Sequence, residues 1–125
     1  MKKFLLYVTL LLGLLCLILI GVERQTHLLR RAYDNWILDN ENHYLPCEQL
    51  PVPDEVKRIV QEHQDIIQQI EQVDPGQVVV EVDTMTCPGK ADLVIFYATH
   101  QDRIAIKKLI GANTFFGVPY RMVNW

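Results

Sequence analysis

Cysteine and histidine side chains offer the most varied chemistry in this sequence. Cys47 precedes a predicted helix, and Cys87 lies in the loop Thr84–Lys90 between two predicted strands. In an oxidising compartment, two such cysteines are expected to form a disulfide. The two positions are 40 residues apart, so the chain-entropy argument gives a stabilisation of about 4 kcal/mol. The third cysteine, Cys16, lies in an apolar segment, where we interpret it as structural.

A metal site is the alternative interpretation of these residues. Thiolate and imidazole are ligands that suit zinc, and His43 lies four residues before Cys47. Cys87 with His63 or His100 would complete a set. The sequence contains neither a Cys-x-x-Cys nor a His-x-x-x-His pair, and the closely spaced motif that lowers a thiol pKa is absent. We therefore expect no metal and no cofactor.

The histidines give little indication of catalysis. His63 falls within the apolar stripe of a predicted helix and is expected to be a core histidine. His100 lies in the first turn of another helix, beside Asp102, where it could act as a base towards Thr99 or Tyr97. No nucleophile elbow or triad spacing accompanies it. We expect no catalytic residues and predict that the protein is not an enzyme.

Aromatic residues form a second group of candidates. In the segment Asn113–Tyr120, NTFFGVPY, the aromatic side chains flank a glycine and a proline at a loop-to-strand junction. Aromatic side chains on a rigid turn are effective interface anchors. The alternative is that both phenylalanines pack into the core. The predicted partner-binding residues are Phe115, Phe116, Tyr120, Trp125, Tyr33 and Trp36.

These candidates follow a long apolar segment, Phe4–Val22, which contains no charged residue. As a helix, its 19 residues would extend about 28 Å, close to the hydrocarbon thickness of a bilayer. We interpret it as an uncleaved membrane anchor that contacts lipid; the alternative is a cleaved signal peptide. Basic residues lie on both sides of it, so the charge rule is nearly balanced. Because the segment begins almost at Met1, we expect the N-terminus inside and the C-terminal domain outside the cytoplasm.

The sequence divides into a transmembrane signal anchor (1–22), a juxtamembrane amphipathic helix (23–42) and a small α/β domain (43–125). The residues after Val22 carry all 15 acidic and 10 of the 12 basic residues, a formal charge of −5. Nucleic-acid binding requires a basic surface, so we expect no nucleic-acid partner.

Hydrophobic periodicity predicts the elements of the domain. They are a helix after Pro53 that ends near Val73, strands at Gln77–Asp83 and Asp92–Ala98, a helix from Thr99 to Gly111, and a strand at Val118–Asn124. The fold class is α+β, in the order helix-strand-strand-helix-strand. If residues 43–50 contribute a strand, the order becomes βαββαβ, the ferredoxin-like arrangement.

Together these features predict a membrane-anchored, extracytoplasmic interaction or accessory protein without catalytic activity, which binds a protein partner. One alternative is a small envelope metal-binding or thiol-based enzyme that uses His43, Cys47, Cys87 and His100. The other is a secreted binding domain released by signal cleavage.

Overall fold

The computed structural model describes all residues from Met1 to Trp125. Two helices precede the domain, which contains three further helices, a 3₁₀ turn and four strands. In chain order the elements are α1 (Lys2–Thr26), α2 (Leu28–Trp36), the 3₁₀ turn (Cys47–Gln49), α3 (Pro53–Glu62), α4 (Gln64–Glu71), β1 (Val79–Asp83), β2 (Asp92–Tyr97), α5 (His100–Ile110), β3 (Thr114–Phe115) and β4 (Val118–Asn124).

The four strands form one mixed sheet in the order β1-β2-β4-β3. β1 is antiparallel to β2, β2 is parallel to β4, and β3 forms a hairpin with β4. The α+β class predicted from the sequence is therefore confirmed. The ferredoxin-like order is not formed, because β4 lies directly beside β2. Residues 43–50 form no strand, and only Glu41 makes an isolated antiparallel bridge, to Met122.

The hydrophobic core lies between the sheet and α3, α4 and α5. Side chains alternate across a strand, so the register places Val80 beside Ile95 and Ile95 beside Met122 on one face. The apolar stripes of the helices cover this face. The buried core residues are Val56, Ile67, Ile70, Val78, Ala91, Leu93, Ile95, Tyr97, Ile106, Phe115, Val118, Tyr120 and Met122.

The caps of α5 lie at Thr99 and Gly111, the two residues at which the sequence predicted the helix to begin and end. The Thr99 hydroxyl accepts the Asp102 N–H at 3.3 Å, and the Asp102 carboxylate accepts the Thr99 N–H at 2.9 Å. These two bonds make a capping box, which satisfies two backbone donors of the first turn. Gly111 ends the helix with a φ of 67°, in the left-handed region that glycine adopts readily.

Two predicted helices are each broken at a histidine. The predicted helix after Glu23 is interrupted at His27, whose φ is 51°. The Glu23 carboxylate accepts hydrogen bonds from the backbone N–H groups of Leu29 and Arg30 at 2.8 and 3.1 Å. This side chain therefore satisfies two backbone donors in the first turn of α2. The predicted helix from Pro53 breaks at His63, with a φ of −119° and a ψ of 33°. Neither break is marked by glycine or proline, so periodicity alone did not reveal them.

The helix α1 is the most apolar element. Its most apolar 18-residue window has a mean hydropathy of 2.8, and none of that window is buried. Its 25 residues extend roughly 37 Å. It is long and apolar enough to cross a membrane.

Candidate functional site

The sheet has a second face, which points away from α3, α4 and α5 and which we call the outer face. Its charged end is formed by Asp83, Asp92 and Arg121, with the exposed Glu81 next to them on β1. Its apolar end is formed by Val94, Phe96 and Val123 together with Val79 at the far end of β1. The strand register brings these side chains side by side, with Asp83 opposite Asp92, Val94 opposite Arg121 and Phe96 opposite Val123. The outer face therefore changes from charged to apolar along the strands.

The segment that joins α2 to α3, residues 37–52, passes the charged end of the outer face, and we call it the connecting segment. Backbone hydrogen bonds of 2.9 and 2.8 Å pair Glu41 with Met122 on β4. Further along, His43 Nε2 lies 2.8 Å from Asp92 Oδ2. Beyond it, Cys47 forms a disulfide with Cys87, with the two Cα atoms 5.5 Å apart. The segment is thus attached to the sheet at both ends and in the middle.

Asp92 is the centre of the charged cluster, with a side chain that is only 4 % exposed. Arg121 donates to both of its oxygens, from Nε at 2.6 Å and from Nη2 at 3.0 Å. Burial by itself raises the pKa of Asp92, but the hydrogen bonds from His43 and Arg121 outweigh it and hold that pKa below its ordinary value. The same pairing with Asp92 raises the pKa of Arg121. Both groups therefore stay charged at neutral pH.

Asp83 completes the cluster from the end of β1. It accepts a hydrogen bond from Arg121 Nη2 at 2.5 Å and others from the backbone of Met85 and Thr86. Burial again acts against ionisation, yet these donors lower the pKa of Asp83 well below its ordinary range. Arg121 thus lies between two carboxylates on adjacent strands, and the cluster links β1, β2 and β4.

The hydrogen bonds of His43 limit what it can do chemically. Its Nδ1 accepts the backbone N–H of Leu45 at 2.9 Å. This acceptor role leaves the proton on Nε2, which donates to Asp92. A general base needs a lone pair that is free for the substrate proton. Because both ring nitrogens are occupied, His43 orients the connecting segment rather than offering a base.

A cleft of about 500 Å³ opens beside this cluster and the disulfide. Its floor is the charged end of the outer face, and its walls come from the connecting segment, the start of α2 and the loop after β1. The residues that line it are His27, Arg30, Asn42, His43, Tyr44, Leu45, Pro46, Leu50, Asp83, Thr86, Cys87, Asp92 and Arg121. The lining contains two arginine and two aspartate side chains, so no single sign of charge dominates.

The alternative metal or thiol site is not assembled. Cys47 and Cys87 are joined to each other, so neither sulfur is available as a thiolate ligand. His43 contacts Asp92, whereas His100 Nδ1 lies 2.8 Å from Asp39. No group of three or more histidine, cysteine, aspartate or glutamate side chains could hold a metal ion.

His100 belongs to a separate polar cluster at the start of the connecting segment. The Arg103 guanidinium, with a side chain 9 % exposed, bonds to Asp39 at 2.7 Å and to Glu41 at 3.1 Å. Lys107 adds a 2.6 Å contact to Glu41. These ion pairs hold the segment against α5, and they explain why the pKa of Glu41 stays below its ordinary value although burial opposes it.

Two of the predicted partner-binding residues are core residues. Phe115 is 1 % and Tyr120 3 % exposed, so their prediction as surface anchors was wrong. Tyr120 lies on the helix-covered face because β4 alternates, and its hydroxyl donates to the Ala112 carbonyl at 3.1 Å. Phe115 packs edge-on against His63, with ring centroids 6.2 Å apart.

The other predicted aromatics lie at the surface. Phe116 is 54 % exposed and stacks on His63 with ring centroids 3.4 Å apart, so His63 is a surface stacking partner as well as a core neighbour. Trp125 is 61 % exposed and stacks on Phe96 at 5.4 Å. Tyr33 and Trp36 are exposed on α2.

Sequence reasoning missed the charged cluster. Asp83 closes one predicted strand, Asp92 opens the next, and Arg121 interrupts the apolar pattern of the last strand. A charged residue on a strand between buried neighbours implies a partner of opposite charge. That signal was present, but the pairing depends on β2 lying beside β4, which the sequence did not indicate.

Comparison with protein-family models, with curated proteins and with solved structures finds no match for this chain.

Proposed function

We propose that this protein is a membrane-anchored interaction protein, whose domain lies on the extracytoplasmic side and binds another protein through the apolar end of the outer face. The observation that carries the proposal is the stack of Trp125 on Phe96, in which the Trp125 side chain remains exposed. Val79 and Val123 extend this surface and are only partly buried.

Several physical arguments support binding at this surface. A few residues contribute most of the binding energy at many protein interfaces, and tryptophan is enriched among them. The Phe96–Trp125 stack is held in place, because the backbone N–H of Trp125 donates to the backbone carbonyl of Tyr97 at 3.2 Å. β1 is the outermost strand of the sheet on this side, so the surface continues to a strand edge at which a partner strand could pair.

The membrane and the disulfide support the location. An apolar α1 would keep the domain at the membrane surface, which raises its effective concentration towards partners in the same membrane. The Cys47–Cys87 disulfide is a bond that persists in oxidising compartments. Cleavage after α1 would turn the same domain into a secreted binding protein, which the N-terminal mass of the mature protein distinguishes.

The test is the size of the complex that the full-length protein forms when it is extracted by mild detergent from its native membranes. The double variant Val79→Asp/Trp125→Ser places charge on the outer face and removes its exposed ring. Ile104→Asp is the matched control, because Ile104 is 50 % exposed on α5, on the opposite side of the sheet.

We expect the wild-type protein and the Ile104→Asp control to migrate in a complex larger than the detergent-bound monomer on native gels, and the double variant to migrate as the monomer. Circular dichroism of all three proteins checks that the fold is intact. A double variant that remains in the larger complex, or a wild-type protein that is itself monomeric, would refute the outer face as the binding surface.

A further inference from the structure

The helix α2 lies against the domain with its polar side. The Arg31 guanidinium lies 5.0 Å from the centre of the Tyr44 ring. The Tyr44 hydroxyl donates a hydrogen bond to Asp34. Burial, together with this hydrogen bond, raises the pKa of Tyr44 to about 12. One residue after Asp34, the Asn35 amide oxygen accepts a bond from Arg103 of α5. The polar residues of α2 are therefore its contacts with the protein.

The opposite side of α2 is apolar and uncovered. Its residues recur at spacings of three and four, which places them on one helix face. Trp36 is 84 % exposed and Leu29 69 %, and no residue of α2 is buried. The exposed residues of this apolar side are Leu28, Leu29, Tyr33 and Trp36, followed directly by Ile37 after the end of the helix. A helix on a water-soluble domain has the reverse arrangement, with its apolar stripe towards the core.

The position of α2 in the chain indicates what covers this side. Only His27 separates α2 from α1, and the carboxylate of Glu23, on the last turn of α1, caps the first turn of α2. If α1 spans the bilayer, α2 begins at the membrane surface. Its nine residues extend roughly 14 Å, so the whole helix can remain in the interfacial zone.

We propose that the apolar side of α2 lies in the headgroup–acyl boundary of the membrane that α1 crosses. Tryptophan and tyrosine are enriched at this depth because their rings are apolar and their N–H and O–H groups remain hydrated. Arg24, in the last turn of α1 beside the junction of the two helices, is placed to contact lipid phosphates. The inference depends on the membrane anchoring in the proposed function and extends it, since the domain contacts the membrane through a second element.

The two tryptophans of the protein allow a direct test. Trp125→Phe leaves Trp36 as the only tryptophan, and the matched variant Trp36→Phe leaves Trp125. Each full-length variant is reconstituted into phosphatidylcholine vesicles that contain lipid labelled with a doxyl quencher at acyl carbon 5 or carbon 12. Acrylamide quenching from the aqueous phase is measured in parallel, on samples that vesicle flotation shows to be membrane-bound.

We expect Trp36 fluorescence to be quenched more strongly by the carbon-5 label than by the carbon-12 label, because an interfacial helix lies roughly 5–10 Å into the boundary region. Trp36 should also be shielded from acrylamide. Trp125 should be quenched by acrylamide and by neither of the two lipid labels.

Two results would overturn the inference. Trp36 quenched by acrylamide as strongly as Trp125 would place α2 in water. Trp36 shielded from both acrylamide and lipid labels would show that a protein surface covers it instead. Flotation separates these results from failure of the anchor, because a protein that does not float has no membrane attachment at all.

Discussion

The disulfide between Cys47 and Cys87 gives the most quantitative prediction. It closes a loop of 40 residues, and the chain-entropy relation gives about 13 cal/mol/K for such a loop, or about 4 kcal/mol at 25 °C. Small domains unfold with a free energy of only about 5–15 kcal/mol. The double variant Cys47→Ser/Cys87→Ser should therefore lose a large part of the stability of the domain.

The expected size of the effect can be expressed as a melting temperature. For a domain of roughly 90 residues, 1 kcal/mol corresponds to about 5 °C, so the double variant should melt about 20 °C below the wild-type protein. The assay is thermal unfolding of the full-length protein in detergent micelles, followed by near-ultraviolet circular dichroism. Wild-type protein treated with a reductant should melt at the temperature of the double variant.

Cys16 provides the matched control, because it is free and lies on α1. Cys16→Ser should leave the melting temperature of the domain unchanged, with or without reductant. A double variant that melts within about 5 °C of the wild-type protein would contradict the loop-entropy argument, as would a wild-type protein that does not respond to reduction.

Three further predictions concern the charged cluster and α5. Arg121→Met should cost about 3 kcal/mol in urea unfolding, because it leaves Asp83 and Asp92 without their cation, whereas removal of the exposed Arg58 side chain should cost under about 0.5 kcal/mol; equal losses would contradict the cluster's role. Since the pKa of Asp92 is lowered from 3.8 by folding, its contribution is present above that value and is lost as the pH falls further; stability measured from pH 7 to pH 2 should fall at the acidic end, and less steeply in Asp92→Asn. Thr99→Ala should cost about 1 kcal/mol through loss of the helix cap, with faster hydrogen exchange in the first turn of α5; unchanged exchange there would count against the cap.

The sequence predicted most of the domain because its patterns are local. β1 and β4 alternate, β2 is apolar after Asp92, and α5 has Thr99 at one end and Gly111 at the other. Those signals arise from backbone hydrogen bonding and from burial within one element. They predicted the α+β class and the observed bounds of β4.

What the sequence did not reveal depends on pairing between distant elements. The position of β4 beside β2 is set by the α5 crossover, and it excludes the ferredoxin-like order. Phe115 is buried and Phe116 is exposed. The difference follows from the β3–β4 turn, where Phe116 has a φ of 48° and Gly117 a φ of 91°. A two-residue turn with both φ values positive is typical of tight hairpins, but phenylalanine is rare at such a position, so the turn was not predicted.

In the charged cluster, too, the local pattern was predictable from the sequence and the pairing between distant elements was not. Each member lies on a strand that the sequence predicted correctly, and each is visible as a charge among apolar neighbours. Their convergence required the register of three strands and the path of the connecting segment. The disulfide was predictable because Cys47 and Cys87 were the only two cysteines outside the apolar segment.

The proposed function requires an oxidised domain on the outer side of the membrane. Right-side-out membrane vesicles that contain the full-length protein can be treated with a membrane-impermeant maleimide–polyethylene glycol, before and after an impermeant reductant. We expect no mass shift before reduction and a shift of two adducts afterwards, without lysis, because a membrane-spanning α1 would keep Cys16 within the bilayer. Labelling of two thiols without reduction, or labelling only after lysis, would contradict the account.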